Sequence, residues 1–232
     1  MTKHVMLDLE TWGTRPGCDI RSIGAVVFDP VKGDVSTPCK TCKGGTTRGN
    51  INEGGDCSDC MNTRLERGYG DTFYRATDNP VPKWYTGKFP ESNRKYPLIR
   101  ERETVQWWNE QSKEAQAAFA NPVDLLQALQ EFSVWLRHSD PNYVNGGNYP
   151  DIAIWANDPH FDCSILAAAY HALGLPVPWH YRAPRSMKTA CELAGMTSAD
   201  YSSYGTDHNA LDDAIAQAMS VCEAYKRLGL RK

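Results

Sequence analysis

The amino-acid sequence predicts an α/β protein in which helices flank a mixed β-sheet. Two apolar runs, at residues 4–9 and 20–28, have the composition of buried strands. Apolar residues with helical spacing dominate the second half of the chain, most clearly at residues 123–136. Strands followed by alternating helices and strands are typical of a sheet that is covered by helices.

The elements follow one another in a readable order along the chain. Asp29-Pro30 ends the second strand, and a short third strand is expected at residues 72–75. Helical patterning begins near Glu103. The later elements are a helix after Asn121-Pro122, a strand at 152–156, a helix at 161–173, a short strand near 179–181, a helix near 186–194 and a last helix from His208 to about Leu228.

Length and composition limit the classes of protein to which the chain can belong. Its 232 residues suffice for one domain, expected to span 1–232, with 41% hydrophobic and 23% charged residues. No apolar run approaches the ~20 residues of a membrane span. The N-terminus begins with strand-like residues and not with a signal peptide, which predicts a cytoplasmic protein. The net charge of -3 excludes a polycation, so any nucleic-acid contact must come from local basic patches.

Four carboxylates and one histidine in three distant segments are the chemically informative residues. Asp8 and Glu10 are two apart on the first strand, so their side chains share one face. Asp162 opens a helix after the strand at 152–156, and His208 and Asp213 lie at the start of the last helix. Adjacent carboxylates resist burial unless a cation neutralises them. Their hard oxygen ligands favour two Mg²⁺ or Mn²⁺ ions about 3.5–4 Å apart, an arrangement suited to in-line phosphoryl displacement.

Each of these segments also has a plain structural explanation. Asp162 could be an N-terminal helix charge that the helix dipole favours, and His208 could be a helix cap. The combination of all three segments favours metal-dependent phosphodiester cleavage instead. One ion would activate the attacking water, the other would stabilise the leaving oxygen, and His208 could accept the proton of the water as general base.

The three segments resemble the Exo I, II and III motifs of the DEDD 3′–5′ exonucleases. The matching residues are Asp8-Leu9-Glu10-Thr11 in the first motif, Asn157 with Phe161-Asp162 in the second, and His208 with Asp213 in the third. The His-x-x-x-x-Asp spacing is that of the DEDDh subgroup. The resemblance implies a ribonuclease-H-like fold and hydrolysis from the 3′ end that releases nucleoside 5′-monophosphates.

The chain is more closely similar to the exonuclease A type of tailed phages. The segments that carry this similarity are Thr104-Val105-Gln106-Trp107-Trp108, Gln111-Ser112-Lys113-Glu114-Ala115 and Phe161-Asp162-Cys163-Ser164-Ile165-Leu166. We expect an exonuclease whose partner is single-stranded nucleic acid, with DNA ahead of RNA. The alternatives are an exoribonuclease on the same scaffold, or a module that binds nucleic acid or a replication partner without cleaving. Retention of all five site residues favours an enzyme.

The resemblance also implies substrate contacts. Thr11 and Trp12 would surround the terminal nucleotide, and Asn157 would contact the substrate backbone. Stacking of Trp12 on a base would contribute ~1–3 kcal/mol, although packing as a loop aromatic explains this residue equally well. Trp107 and Trp108 are expected in the core, because large aromatic residues in helices usually pack there.

Two basic stretches are candidate tracks for the nucleic-acid strand. The first, at residues 83–102, interleaves six Lys or Arg residues with aromatic ones, as in single-strand binding surfaces, or it is a solvated loop. The second comprises Arg182, Arg185 and Lys188. By resemblance, Arg185 lies where related enzymes carry an Arg near the substrate.

An insertion at residues 32–70, between the second and third strands, is too long for a hairpin loop. It contains two Cys-x-x-Cys pairs, formed by Cys39, Cys42, Cys57 and Cys60. This spacing predicts one structural Zn²⁺ with four thiolate ligands, and two disulfides are the alternative. The element could grip single-stranded nucleic acid or dock a protein partner.

Overall fold

The structure is a computed structural model that describes residues 2–35, 72–81, 94–140, 143 and 149–231. The four cysteines of the predicted zinc element and most of the 32–70 insertion lie outside the described residues. Part of the basic stretch at 83–102 lies outside them as well.

Seven strands of the described chain form the central sheet. They are β1 (Lys3–Thr11), β2 (Ile20–Asp29), β3 (Asp34–Val35), β4 (Thr72–Asp78), β5 (Val123–Asp124), β6 (Ile152–Ala156) and β7 (Pro184–Ser186). Their order is β5-β4-β2-β1-β6-β7, and β3 pairs with β2. β1 runs antiparallel to β2 and parallel to β6. The predicted α/β fold with a mixed sheet is confirmed.

Helices cover both faces of this sheet. They are α1 (Arg102–Asn109), α2 (Lys113–Ala117), α3 (Leu125–His138), α4 (Asp162–Ala172), α5 (Met187–Leu193) and α6 (Ala210–Arg227), with a 3₁₀ turn at Ser198–Asp200. None of the helices in the described ranges is both long and apolar enough to cross a membrane.

The alternation of side chains along β1 divides the core into two layers. Val5, Leu7 and Leu9 belong to the layer that α3 and α4 cover, whereas Met6 belongs to the layer under α5 and α6. Side chains two residues apart on a strand share a face. Asp8 and Glu10 therefore lie on the same face as Met6 and point toward α6.

A glycine on β2 allows α6 to approach the sheet at the level of Asp8. Gly24 pairs with Asp8 in the β1–β2 ladder. A Cβ atom at Gly24 would lie 2.1 Å from the carbonyl carbon of Ala210, the first residue of α6. The missing side chain thus brings the start of α6 against the strand pair that carries the two carboxylates.

Two predicted elements have different boundaries in the structure. The strand expected near residues 179–181 lies instead at β7, where Pro184 pairs with Ile154. The aromatic residues misled the prediction because Trp179 is buried against Tyr170, with ring centroids 6.0 Å apart, and takes no part in a strand. α6 begins at Ala210 and not at His208, which lies in the preceding turn.

Candidate active site

Asp8 and Glu10 lie at the carboxyl end of β1. The ladder with β2 shifts its register between Glu10 and Thr11, so the strand ends in a bulge directly after the second carboxylate. Glu10 is 8% exposed, and Asp8 is half-buried. The sheet therefore holds two acids on one face in surroundings that are poorly hydrated.

Asp162 reaches the same end of β1 from the opposite direction in the chain. It is the first residue of α4 and is 3% exposed. Its Oδ1 accepts a hydrogen bond from the backbone N–H of Leu9, the residue between Asp8 and Glu10, over 3.1 Å. This bond fixes the start of α4 against β1 and brings the distant third acid next to the strand that carries the first two.

His208 and Asp213 come from the turn that precedes α6 and from the first turn of that helix. The backbone N–H of His208 donates to Oδ2 of Asp213 over 3.1 Å, and Asn209 caps the helix. His208 has a φ of 64°, in the left-handed region that non-glycine residues seldom adopt. Backbone strain of this kind often occurs at functional sites, where the surrounding contacts maintain it.

Three of the predicted residues form a geometry that fits a divalent cation. The ligand atoms of Glu10, His208 and Asp213 all lie within 4.8 Å of one another. Asp8 and Asp162 lie outside this trio, but their charges act on the same cluster. His208, expected as a general base, is thus also within reach of a cation. Carboxylate oxygens and an imidazole suit Mg²⁺ or Mn²⁺.

Burial raises the pKa of every carboxyl group in this cluster. It raises that of Asp8 well above 3.8, and the neighbouring charges of Asp162, Glu10 and Asp213 raise it further. The pKa of Glu10 is raised to about 8 by burial and then by Asp213. Burial raises the pKa of Asp162 to about 7 and that of Asp213 to about 6. A cation that replaces the bound protons would favour the ionised forms instead.

These shifts predict how stability depends on pH in the absence of metal. The folded state binds protons more tightly than the unfolded state, so the contribution of the cluster is complete below about pH 4 and declines as pH rises toward about 8. We expect the melting temperature in EDTA to fall across this range, and Mn²⁺ to raise it most at the alkaline end. Thermal melts at several pH values measure the effect. Asp213→Asn is the control, because it removes one of the titrating carboxyl groups and should weaken the dependence of the melting temperature on pH. If Mn²⁺ raised the melting temperature equally at pH 5 and pH 8, the prediction would be contradicted.

A cavity of about 460 Å³ opens beside Glu10. Its walls include Leu9, Glu10, Thr11, Thr104, Trp107 and Phe161. Trp107 is 42% exposed, and its ring meets the ring of His208 edge-on at 4.9 Å, so the prediction that it lies in the core is wrong. Trp108 is buried, as predicted, and donates to the carbonyl of Thr11. The helical pattern could not predict which of the two neighbours is buried, because their exposure depends on the segments that pack against α1.

Of the predicted substrate contacts, Thr11 lies in the cavity wall and Trp12 does not. The Thr11 hydroxyl donates to the carbonyl of Gly13 over 2.6 Å. The Trp12 ring is covered by two guanidinium groups, those of Arg21 and Arg100, each 4.5 Å from its centroid. Arg21 is 7% exposed, and its charge opposes the rise in the pKa of Glu10. Trp12 therefore makes cation–π contacts with both arginines. Its contact with substrate stays a prediction.

Asn157 and Arg185 lie on the β6–β7 side of the site. The carbonyl of Asn157 accepts from the backbone N–H of Lys188 over 3.4 Å, and its Oδ1 is buried without a partner among the described residues. Arg185 lies in β7 opposite Trp155 and donates from Nη1 to three nearby carbonyls. Burial raises the pKa of Asp162, and the charge of Lys188 opposes that rise. The substrate roles of Asn157 and Arg185 stay predictions.

The sequence analysis did not identify Gln217. Its Nε2 donates to Oδ1 of Asp8 over 2.6 Å. A signal was available, because Gln217 lies four residues after Asp213 in α6, and residues at that spacing share a helix face.

Comparison with known families gives a clear match. The model of the 3′–5′ exoribonuclease Rv2179c-like domain matches residues 3–41 and 64–225, most of the chain. The chain belongs to the Rv2179c-like 3′–5′ exoribonuclease domain family. It is therefore a 3′–5′ exonuclease, as the sequence predicted. No curated protein matches it.

Two solved structures are similar to the Rv2179c-like chain at low identity. One is the nuclease domain of 3′hExo, a DEDDh family member, bound to rAMP, with 14% identity and a TM-score of 0.45 over 97% of this chain and 92% of that one. The other is a full-length 3′-exonuclease, with 12% identity and a TM-score of 0.44 over 99% of this chain and 84% of that one.

Proposed function

We propose that the protein hydrolyses single-stranded RNA from the 3′ end and releases nucleoside 5′-monophosphates with two Mg²⁺ or Mn²⁺ ions. The observation that carries the proposal is the convergence of five groups around Glu10, which lines the 460 Å³ cavity. They are Asp8, Glu10, Asp162, His208 and Asp213. Two bound cations would stabilise the charges of the attacking and leaving oxygens.

The protein's own residues orient the substrate and move a proton. His208 accepts the proton of the attacking water as general base, and the edge contact with Trp107 restrains its ring. Asp213 positions the backbone of His208 through the 3.1 Å hydrogen bond to its N–H. The carboxylates would hold the cations, and the strained turn places the imidazole beside Glu10 and Asp213.

The cavity beside Glu10 takes the terminal nucleotide. Thr11 and Phe161 supply part of the wall, and the exposed part of the Trp107 ring offers a surface on which a base can stack. Stacking of this kind contributes ~1–3 kcal/mol and does not depend on which base is present. An unselective base contact suits an enzyme that shortens strands of any sequence.

The choice of RNA rests on the family, whose description names exoribonucleases. The sequence analysis favoured single-stranded DNA, which remains the second candidate. It is supported by the resemblance of residues 104–115 to the phage exonuclease A type. Only contacts to the 2′-hydroxyl distinguish the two substrates at such a site.

A gel time course tests the proposal. It uses 3′- and 5′-labelled single-stranded RNA and DNA of one sequence, with Mg²⁺, Mn²⁺ or EDTA. We expect stepwise, metal-dependent shortening of RNA from the 3′ end. Faster shortening of DNA would support the second candidate. Binding without shortening of either strand would favour the non-cleaving module.

We also propose that Cys39, Cys42, Cys57 and Cys60 bind one structural Zn²⁺. The family match omits residues 42–63, which supports an insertion that is not part of the common domain. Four thiolates leave no open coordination position, so this zinc would have no catalytic role. The element would extend the nucleic-acid surface or dock a protein partner.

Replacement of one cysteine tests the zinc site. We expect Cys39→Ser to lose the zinc that the wild type carries, while the main melting transition and the cleavage of a short oligonucleotide persist. The reason is that the sequence of the insertion has no regular apolar pattern, so metal binding would supply its folding free energy. Metal analysis of the purified proteins provides the measurement, with Cys191→Ser as a buried control outside the cluster. If the purified wild-type protein contained no zinc, the proposed site would be refuted.

A further inference from the structure

Gln217, on α6, contacts the candidate metal ligand Asp8 on β1. The 2.6 Å hydrogen bond from its Nε2 joins the middle of α6 to β1 across 209 positions of sequence. Asp213 lies one helical turn earlier on the same face of α6. One helix therefore supplies a ligand and also a donor to the ligand on the neighbouring strand.

The buried amide group of Gln217 lowers the stability of the fold, and the hydrogen bond to Asp8 is the contact that this group makes. Its Oε1 is buried and has no partner among the described residues. A buried polar atom without a partner lowers stability, and an apolar side chain of the same length would avoid that cost. The bond to Asp8 is the interaction that an apolar residue could not make.

A carboxylate ligand can rotate about its side-chain bonds. A donor that holds one oxygen fixes the direction of the other, and this reduces the rearrangement that metal binding requires. Asp8 is bracketed in this way, because Leu9 next to it is tied to Asp162 and its own Oδ1 is held by Gln217. We propose that Gln217 is a positioning residue that orients Asp8 for metal binding. This inference rests on the proposed metal-dependent nuclease function.

The test combines metal binding with cleavage. Gln217→Met keeps the length and helix preference of the side chain but removes the donor, and Gln217→Asn keeps the amide but shortens its reach. Gln127→Met is the matched control, because Gln127 makes the same amide–carboxylate contact with Glu131 on an exposed face of α3. Calorimetric titration with Mn²⁺ and RNA cleavage at varied Mg²⁺ are measured for each protein.

We expect both Gln217 variants to bind Mn²⁺ about 10- to 100-fold more weakly, the range for residues that orient a metal ligand. The Mg²⁺ concentration for half-maximal cleavage should rise in parallel. At saturating Mg²⁺, kcat and the KM for RNA should recover, and Gln127→Met should match the wild type throughout.

Other outcomes overturn the inference in distinguishable ways. Wild-type Mn²⁺ affinity in Gln217→Met would remove the positioning role and leave the nuclease function intact. Failure of both Gln217 variants to fold would assign the residue to the stability of α6 instead. A wild-type protein that neither binds Mn²⁺ nor shortens RNA would refute the proposed function itself, and the positioning role with it.

Discussion

Asp8→Asn is expected to abolish cleavage and, at the same time, to make the metal-free protein more stable. The substitution removes a charge that Asp162, Glu10 and Asp213 repel, and it leaves an amide oxygen that can still accept from Gln217. A metal ion contributes several kcal/mol to the transition state, so loss of a ligand should reduce kcat/KM by about a thousandfold or more. The melting temperature in EDTA at pH 8 should rise above that of the wild type.

Two measurements check this prediction, RNA cleavage with saturating Mg²⁺ and thermal melting in EDTA. Asp34→Asn is the control, because it makes the same change of charge at an exposed residue of β3. It should leave both values unchanged. An Asp8→Asn protein that cleaves at the wild-type rate would remove Asp8 from the active site.

Gly24→Ala is expected to have the largest effect on stability. Its Cβ would meet the carbonyl carbon of Ala210 at 2.1 Å and the amide nitrogen of Leu211 at 2.3 Å, and backbone atoms cannot rotate away. Overpacking of this kind costs ~1–3 kcal/mol or more. Each kcal/mol lowers the melting temperature of a protein of this size by about 2–4 °C. Displacement of α6 would also move Asp213 away from Glu10, so activity should fall more than stability alone explains.

Thermal melting and cleavage below the melting range separate the two effects. Gly174→Ala is the control, because it adds the same methyl group where no atom lies within 4 Å. Its φ of +68° makes alanine strained, so a stability loss of ~1–2 kcal/mol with unchanged kcat is expected. If Gly24→Ala matched the wild type in stability and activity, the close packing of α6 against Gly24 would be refuted.

The local patterns were sufficient to predict several elements of the site. The two-residue spacing of Asp8 and Glu10 on a predicted strand put them on one face, and the structure places both toward α6. The motif spacing also predicted that Asp162 begins a helix after β6, which is where α4 starts. These predictions succeed because strand and helix periods are local properties of the chain.

Residues whose roles depend on packing between elements were predicted less well. Trp107 and Trp108 are adjacent in one helix and both line the cavity, yet the first is 42% exposed and the second is buried. Trp12 follows the motif directly, but Arg21 and Arg100 cover its ring. Such differences arise where separate segments meet, and no pattern within a single segment records them.

The resemblance of the sequence to the DEDD exonucleases implied hydrolysis from the 3′ end. The sequence by itself determined the mixed α/β fold and the acids and histidine that are the candidates for metal ligation and proton transfer. Residue type and spacing suffice for these, because metal ligation needs particular side chains and strands need particular periods. The tertiary structure alone decided that Gln217 holds Asp8, that Gly24 admits α6 and that His208 adopts a left-handed backbone. Each of these depends on the distance between elements far apart in the chain, which is set by how α6 packs against β1 and β2.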